Sequence, residues 1–125
     1  STKEWCKRLE AIKSSTLVAE NEGAVCGFIS FGDYRENPNH SIAEIYAIYI
    51  IPDYWARGVG FSLLSNAINN IATKDFKQIV LWVLHDNRAA RSFYEKNGFI
   101  MTDETKKDER LNNSIEIKYR KGIYE

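Results

Sequence analysis

The stretch AEIYAIYIIPDYWARGVGFSLL, residues 43–64, changes its period halfway along. Residues 42–51 form a run so apolar that, as a strand, both of its faces must be covered, which places it inside a sheet. Pro52 ends the run, and Tyr54, Trp55, Arg57, Gly58 and Gly60 follow. Beyond the glycines, Phe61, Leu64, Ile68 and Ile71 recur at helical spacing, predicting a helix to about Thr73. A buried strand therefore leads through a glycine-bearing loop straight into a helix. The successive amides of Ala56 to Phe61 lie where they can point outward together at the helix start. Glycines there remove side chains that would obstruct an anion, and the helix dipole favours negative charge. Arg57 adds a full positive charge. An ordinary strand-to-helix turn, using glycine for its backbone angles, accounts for this segment equally well.

Two familiar phosphate loops are excluded. The nucleoside-triphosphate loop ends in Gly-Lys-Ser/Thr, whereas Gly60 is followed by Phe61 and Ser62. The dinucleotide fingerprint requires a third glycine where this chain has Leu63, and an acidic residue closing the next strand, where QIVLWVL is followed by His85.

The remaining segments supply the setting. The 125 residues are 44% apolar and 27% charged, as expected for one globular domain spanning 1–125. Seventeen basic residues balance seventeen acidic ones without any like-charge block, which argues against nucleic acid and anionic membrane as partners. No apolar run is long enough to span a membrane and no signal peptide is recognisable, so a reducing cytoplasm is expected. Cys26, within AVCGFISF, reads as a buried free thiol, and neither it nor Cys6 has metal-type spacing. His40 and His85 are isolated, so no metal site is expected.

STKE at the start has the form of a capping box from Ser1 to Glu4, and Trp5, Leu9 and Ile12 predict a helix over Glu4–Ile12. TLVAE and AVCGFISFG read as strands joined by the tight turn NEG, and DYRENPNHS as a loop. QIVLWVL is a short buried strand. DNRAARSFYEKNG reads as a helix capped by Asp86 or Asn87 and ended by Gly98, with Ala90, Phe93 and Tyr94 on its inner stripe. FIMTDE and NSIEIKYR are final strands around the charged turn TKKDER. The expected order is α-β-β-β-α-β-α-β-β, an α/β (α+β) arrangement with helices on a mixed sheet.

Residues 43–64 together with LWVLHDNRAARSFYEKNGF, residues 81–99, resemble the GNAT superfamily of N-acetyltransferases. The first segment is similar to its acetyl-coenzyme A motif and the second to its other core motif, in the family's order and separation. The resemblance implies the GNAT acyl-CoA N-acyltransferase fold and acetyl transfer from acetyl-CoA to a primary amine, on a small molecule or a peptide, by direct attack. It implies that the pantetheine arm lies along Ile48, Tyr49 and Ile50. The pyrophosphate would sit on the amides of Ala56, Arg57, Gly58, Val59, Gly60 and Phe61. Asn87 would bond the arm, and Tyr94 would protonate the departing thiolate. Trp55 departs from the family pattern, which has Gln or Arg there. Trp82 stands where some relatives carry a glutamate. Glu44, inside the apolar run and read as sharing a face with Tyr46 and Ile48, is therefore the candidate base, with His85 a distant second. A non-catalytic acyl-CoA-binding or regulatory domain is the alternative.

Against the family fold, the usual first strand and first helix are absent from this reading, as though the chain were truncated upstream. The outer edge of TLVAE would then be unpaired, inviting homodimerisation through residues 16–20.

Overall fold

The computed structural model describes residues 6–11, 14–36 and 41–124. Their order is β1 (Cys6–Ala11), β2 (Ser14–Asn21), β3 (Ala24–Asp33), β4 (Ile42–Ile50), α1 (Val59–Ala72), β5 (Gln78–Leu84), α2 (Arg88–Lys96), β6 (Ile100–Asp108) and β7 (Ser114–Gly122). The seven strands form one mixed sheet in the order β1-β2-β3-β4-β5-β7-β6. Only β4 and β5 run parallel; the α1 crossover between them makes that possible.

Three expectations are corrected. Residues Cys6–Ala11 are a strand, not part of a helix, and they pair along β2 from Cys6↔Ala19 to Ala11↔Ser14. Three apolar residues at helical spacing make a weak signal, and pairing along a whole hairpin outweighs it. The proposed capping box, Ser1 to Glu4, lies outside the described residues. Because β1 covers β2, the 16–20 edge is not open, and the argument for a homodimer through it fails. TKKDER is not a turn either: β6 continues to Asp108, and the reversal falls at 109–113, with Asn112 and Asn113 in the left-handed region. Those two asparagines tolerate the positive φ that the reversal uses.

One face of the sheet carries the core. Leu17 opposes Ile29, Phe31 opposes Ile45, Ile45 opposes Leu81, and Leu81 opposes Tyr119. All of these are buried, packed with Val59, Leu63, Leu64, Ala67 and Ile71 of α1 and with Tyr94 and Phe99. The helix α2 is tied down by polar contacts as well. The Tyr119 hydroxyl donates to Glu95 at 2.6 Å and accepts from Arg91 Nε at 3.0 Å, so a fully buried phenol on β7 holds one flank of α2.

Strand β4 contains a register break. Ser30 opposes Ala47 but Phe31 opposes Ile45, leaving Tyr46 as an extra residue. Such a bulge reverses the face to which following side chains point. Ile45 and Ile48 thereby both reach the core side, and Glu44, opposite Gly32 and Val80, takes the other face. Glu44 and Ile48 do not share a face as the unbroken alternation suggested.

Candidate functional site

Strand β4 pairs with β3 along its length, from Asp33↔Ala43 to Gly27↔Ile50. With β5 it pairs over only four rungs, Ile42↔Gln78 to Ile45↔Leu81. Beyond Ile45 the two parallel strands separate, and one edge of β4 is left without a neighbouring strand. The Ile51 amide donates to Cys26 at 2.9 Å, so Tyr49 and Ile51 turn their backbone groups toward β3. Ile48 and Ile50 turn theirs toward the gap. Tyr49, expected beside them, faces away: its carbonyl lies 2.8 Å from where a Cβ on Gly27 would stand, and its half-exposed ring lies near Phe28.

A cleft of about 660 Å³ opens from this gap. Ile48 and Ile50 form one wall, Ala89, Ala90, Phe93 and Tyr94 of α2 another, and Trp55, Ala56 and Gly58 to Phe61 the mouth. Asn87 also lines it. At the mouth the backbone is unusual. Ala56 has φ 58° and Gly58 φ 85°, while Arg57 between them stays at negative φ. Alternation of this kind turns successive N–H groups into one concavity, an anion nest. Alanine disfavours the left-handed region by about 1–2 kcal/mol, so Ala56 holds strain at this point. The first amide to bond back across the helix start is Ser62, to the Gly58 carbonyl at 3.0 Å. Among the described residues, the amides of Ala56, Arg57, Gly58, Val59, Gly60 and Phe61 have no protein acceptor. Five of the six, all but Arg57, belong to residues that line the mouth of the cleft, where the α1 dipole adds positive potential. Gly60 keeps the surface open; a Cβ there would touch Ile50 at 3.4 Å and Phe93 at 3.5 Å.

Trp55 has a local explanation that the sequence did not offer. Its indole N–H donates to the Ile50 carbonyl at 2.8 Å. The carbonyl turned into the gap at the end of β4 is thus satisfied by the side chain that departs from the family pattern. Arg57 stacks on Tyr54, with its guanidinium carbon 4.5 Å from the ring centroid.

Asn87 caps α2: its Oδ1 accepts from the Ala90 amide at 3.1 Å, leaving the side-chain NH₂ directed elsewhere. Of the two aromatic residues on the inner stripe of α2, Tyr94 lies deeper than Phe93. The phenol is 7% exposed and its ring meets Phe93 and Phe99 edge-to-face. Burial pushes the Tyr94 hydroxyl up to about 12, so it stays protonated at neutral pH. Its residue lines both the cleft and the narrower opening between β4 and β5, with Tyr46 and Trp82. The buried Trp82 Nε1 has no partner there among the described residues.

Glu44 is not in the cleft. Its carboxylate is 2% exposed and held by Arg35: Oε2 accepts from Nη2 at 3.0 Å, and Oε1 from Nε at 3.3 Å and from the Arg35 backbone amide at 3.1 Å. Both oxygens are occupied in anchoring the loop after β3. His85, exposed, bonds Asp86 through Nδ1 at 2.9 Å.

Comparison with known proteins fits this architecture. Residues 1–99 match the model of the Acetyltransferase (GNAT) family. The chain belongs to that family. The L-amino acid N-acyltransferase MnaT of Escherichia coli (strain K12) is 30% identical over 86 residues, 69% of this chain and 50% of that protein. The uncharacterized N-acetyltransferase YhfO of Bacillus subtilis (strain 168) is 35% identical over 95 residues, 74% of this chain and 62% of that protein. The chain thus spans about half to three-fifths of the length of these GNAT relatives. The PaiA N-acetyltransferase from Thermoplasma acidophilum, solved in complex with coenzyme A, superposes with a TM-score of 0.72 at 25% identity. That match covers 89% of this GNAT chain and 62% of the other.

Proposed function

We propose that this GNAT domain binds acetyl-CoA in the cleft and moves its acetyl group to a primary amine by direct attack. The observation that carries the reading is the run of six amides, Ala56 to Phe61, without an acceptor among the described residues, five of them on residues lining a cleft that leads to Tyr94. The amides and Arg57 receive the pyrophosphate. The arm then runs along the Ile48–Ile50 edge like an added strand and takes a further bond from Asn87. Because Trp55 occupies the Ile50 carbonyl, the acceptor available to the arm on that edge is the Ile48 carbonyl.

The reaction follows from what surrounds the inner end. The neutral amine adds to the thioester carbonyl, and an amide that Ile48 or Ile50 turns toward the gap stabilises the oxyanion. Collapse breaks the carbon–sulfur bond, and Tyr94 gives its proton to the thiolate as that charge develops. Like any tyrosine the phenol is neutral at working pH and can donate to the thiolate, and solvent reprotonates it afterwards. No carboxylate lines the cleft or the opening beside it among the described residues, so water takes the ammonium proton. Glu44 acts as a structural anchor for Arg35 rather than as the base.

Free α-amino acids are the first acceptors to test, given the similarity to an L-amino acid N-acyltransferase. That no carboxylate lines the cleft among the described residues favours one rival, coenzyme binding without turnover. Steady-state release of coenzyme A from acetyl-CoA with a panel of amino acids, polyamines and peptides separates the two. Binding by calorimetry with no turnover across the panel would establish the rival and refute acetyl transfer.

A further inference from the structure

Trp55 and Phe61 bracket the six amides, one immediately before the run and one at its end. Both line the cleft, yet they are 64% and 59% exposed. Single exposed apolar side chains are ordinary, but two large aromatic ones flanking one anion nest are not accounted for by packing. Trp55 is also held in place: the 2.8 Å bond to the Ile50 carbonyl fixes the indole while leaving most of its ring in solvent. An exposed ring held in one orientation is pre-organised to stack on a ligand.

The direction of the ligand follows from the cleft. If the arm leads inward from the nest to Ile48 and Tyr94, the second substituent of the pyrophosphate leaves outward, between Trp55 and Phe61. We infer that these two side chains form a stacking site for the purine base of the coenzyme, a contact made by this chain's own departure at position 55. The inference rests on the coenzyme reading above. Stacking is tolerant of base identity and requires only a planar partner, so the site fits a nucleotide base better than a second phosphate or a sugar.

The test uses two ligands and four proteins. Acetyl-CoA carries the base, and acetyl-4′-phosphopantetheine lacks it. Calorimetry on the parent, Trp55→Ala, Phe61→Ala and Trp55→Phe measures both. Each alanine variant is expected to weaken acetyl-CoA binding about 5- to 100-fold, the range for one stacked base, and to leave acetyl-4′-phosphopantetheine within about twofold. Trp55→Phe loses the bond to Ile50 but keeps a ring, and should stay within about threefold of the parent for acetyl-CoA. Equal weakening toward both ligands would make Trp55 a wall of the arm channel and overturn the stacking site, as would unchanged affinity for acetyl-CoA. If the parent binds neither ligand, the cradle itself is refuted and the stacking site with it.

Discussion

Replacing Tyr94 by phenylalanine removes one oxygen and leaves the aromatic cluster with Phe93 and Phe99 standing. The change therefore isolates the hydroxyl. In the folded chain burial holds that hydroxyl at about 12, against an ordinary 10. A phenol whose folded value is raised supports the fold fully below pH 10, and that support is lost as pH rises toward 12. With those two values the loss is on the order of 1 kcal/mol at pH 11 and roughly 3 kcal/mol once both states have ionised. Tyr94→Phe carries no such loss, so urea midpoints of parent and variant should run parallel from pH 7 to 9 and converge or cross above pH 10. The same variant, assayed at pH 8 with acetyl-CoA and its best amine, should turn over about 10²–10⁴-fold more slowly with little change in coenzyme affinity. A turnover rate near that of the parent would remove Tyr94 from the chemistry. Stability curves that stay parallel to pH 11 would show that its hydroxyl is not shielded from water.

Gly60→Val should fold with a thermal midpoint close to the parent, since a Cβ there meets Ile50 and Phe93 at ordinary contact distance, yet lose acetyl-CoA binding in calorimetry. Unchanged affinity would contradict the cradle. Glu44→Gln should cost about 1–3 kcal/mol in urea unfolding, because a buried partner of Arg35 is weakened, while its pH–rate profile overlays the parent's. A rate loss confined to low pH would restore Glu44 as the proton acceptor. Asn87→Ala removes the α2 cap and should cost about 1 kcal/mol of stability, with a separate loss of coenzyme affinity that salt does not rescue.

The parts of the fold that were legible in the sequence are those governed by local chemistry. Pro52, Gly58 and Gly60 mark where a buried strand must give way to a helix, and Asn87 and Gly98 bound α2 because caps are local devices. Tyr94 was legible as a site candidate because the second motif places it, though not its depth relative to Phe93. What escaped depends on partners distant in sequence. The strand at Cys6–Ala11 exists because β2 offers it an edge. Glu44 looked like a base while its partner, Arg35, sat in a loop without periodicity. The Trp55 bond to Ile50 crosses a turn whose shape no pattern of residue types specifies. Tyr49 was assigned to the gap because strand alternation fixes which backbone groups face a neighbour only after the neighbour is known.

The single extra residue at Tyr46 works as a phase shifter within β4. Upstream of it the strand's outward side chain is an anion bound to arginine; downstream, the corresponding parity is carried by Ala47 and Tyr49, and Ile48 and Ile50 are delivered to the cleft. Deleting one residue from the Ile45–Ala47 segment would not merely shorten the strand. It would rotate everything from Ile48 onward by half a turn, exchanging the apolar lining for Tyr49 and redirecting the backbone groups that face the gap. Substitutions at Tyr46 are gentle perturbations by comparison, since they keep the count. In this strand the number of residues sets which side chains reach the cleft more strongly than the identity of the residue at 46 does.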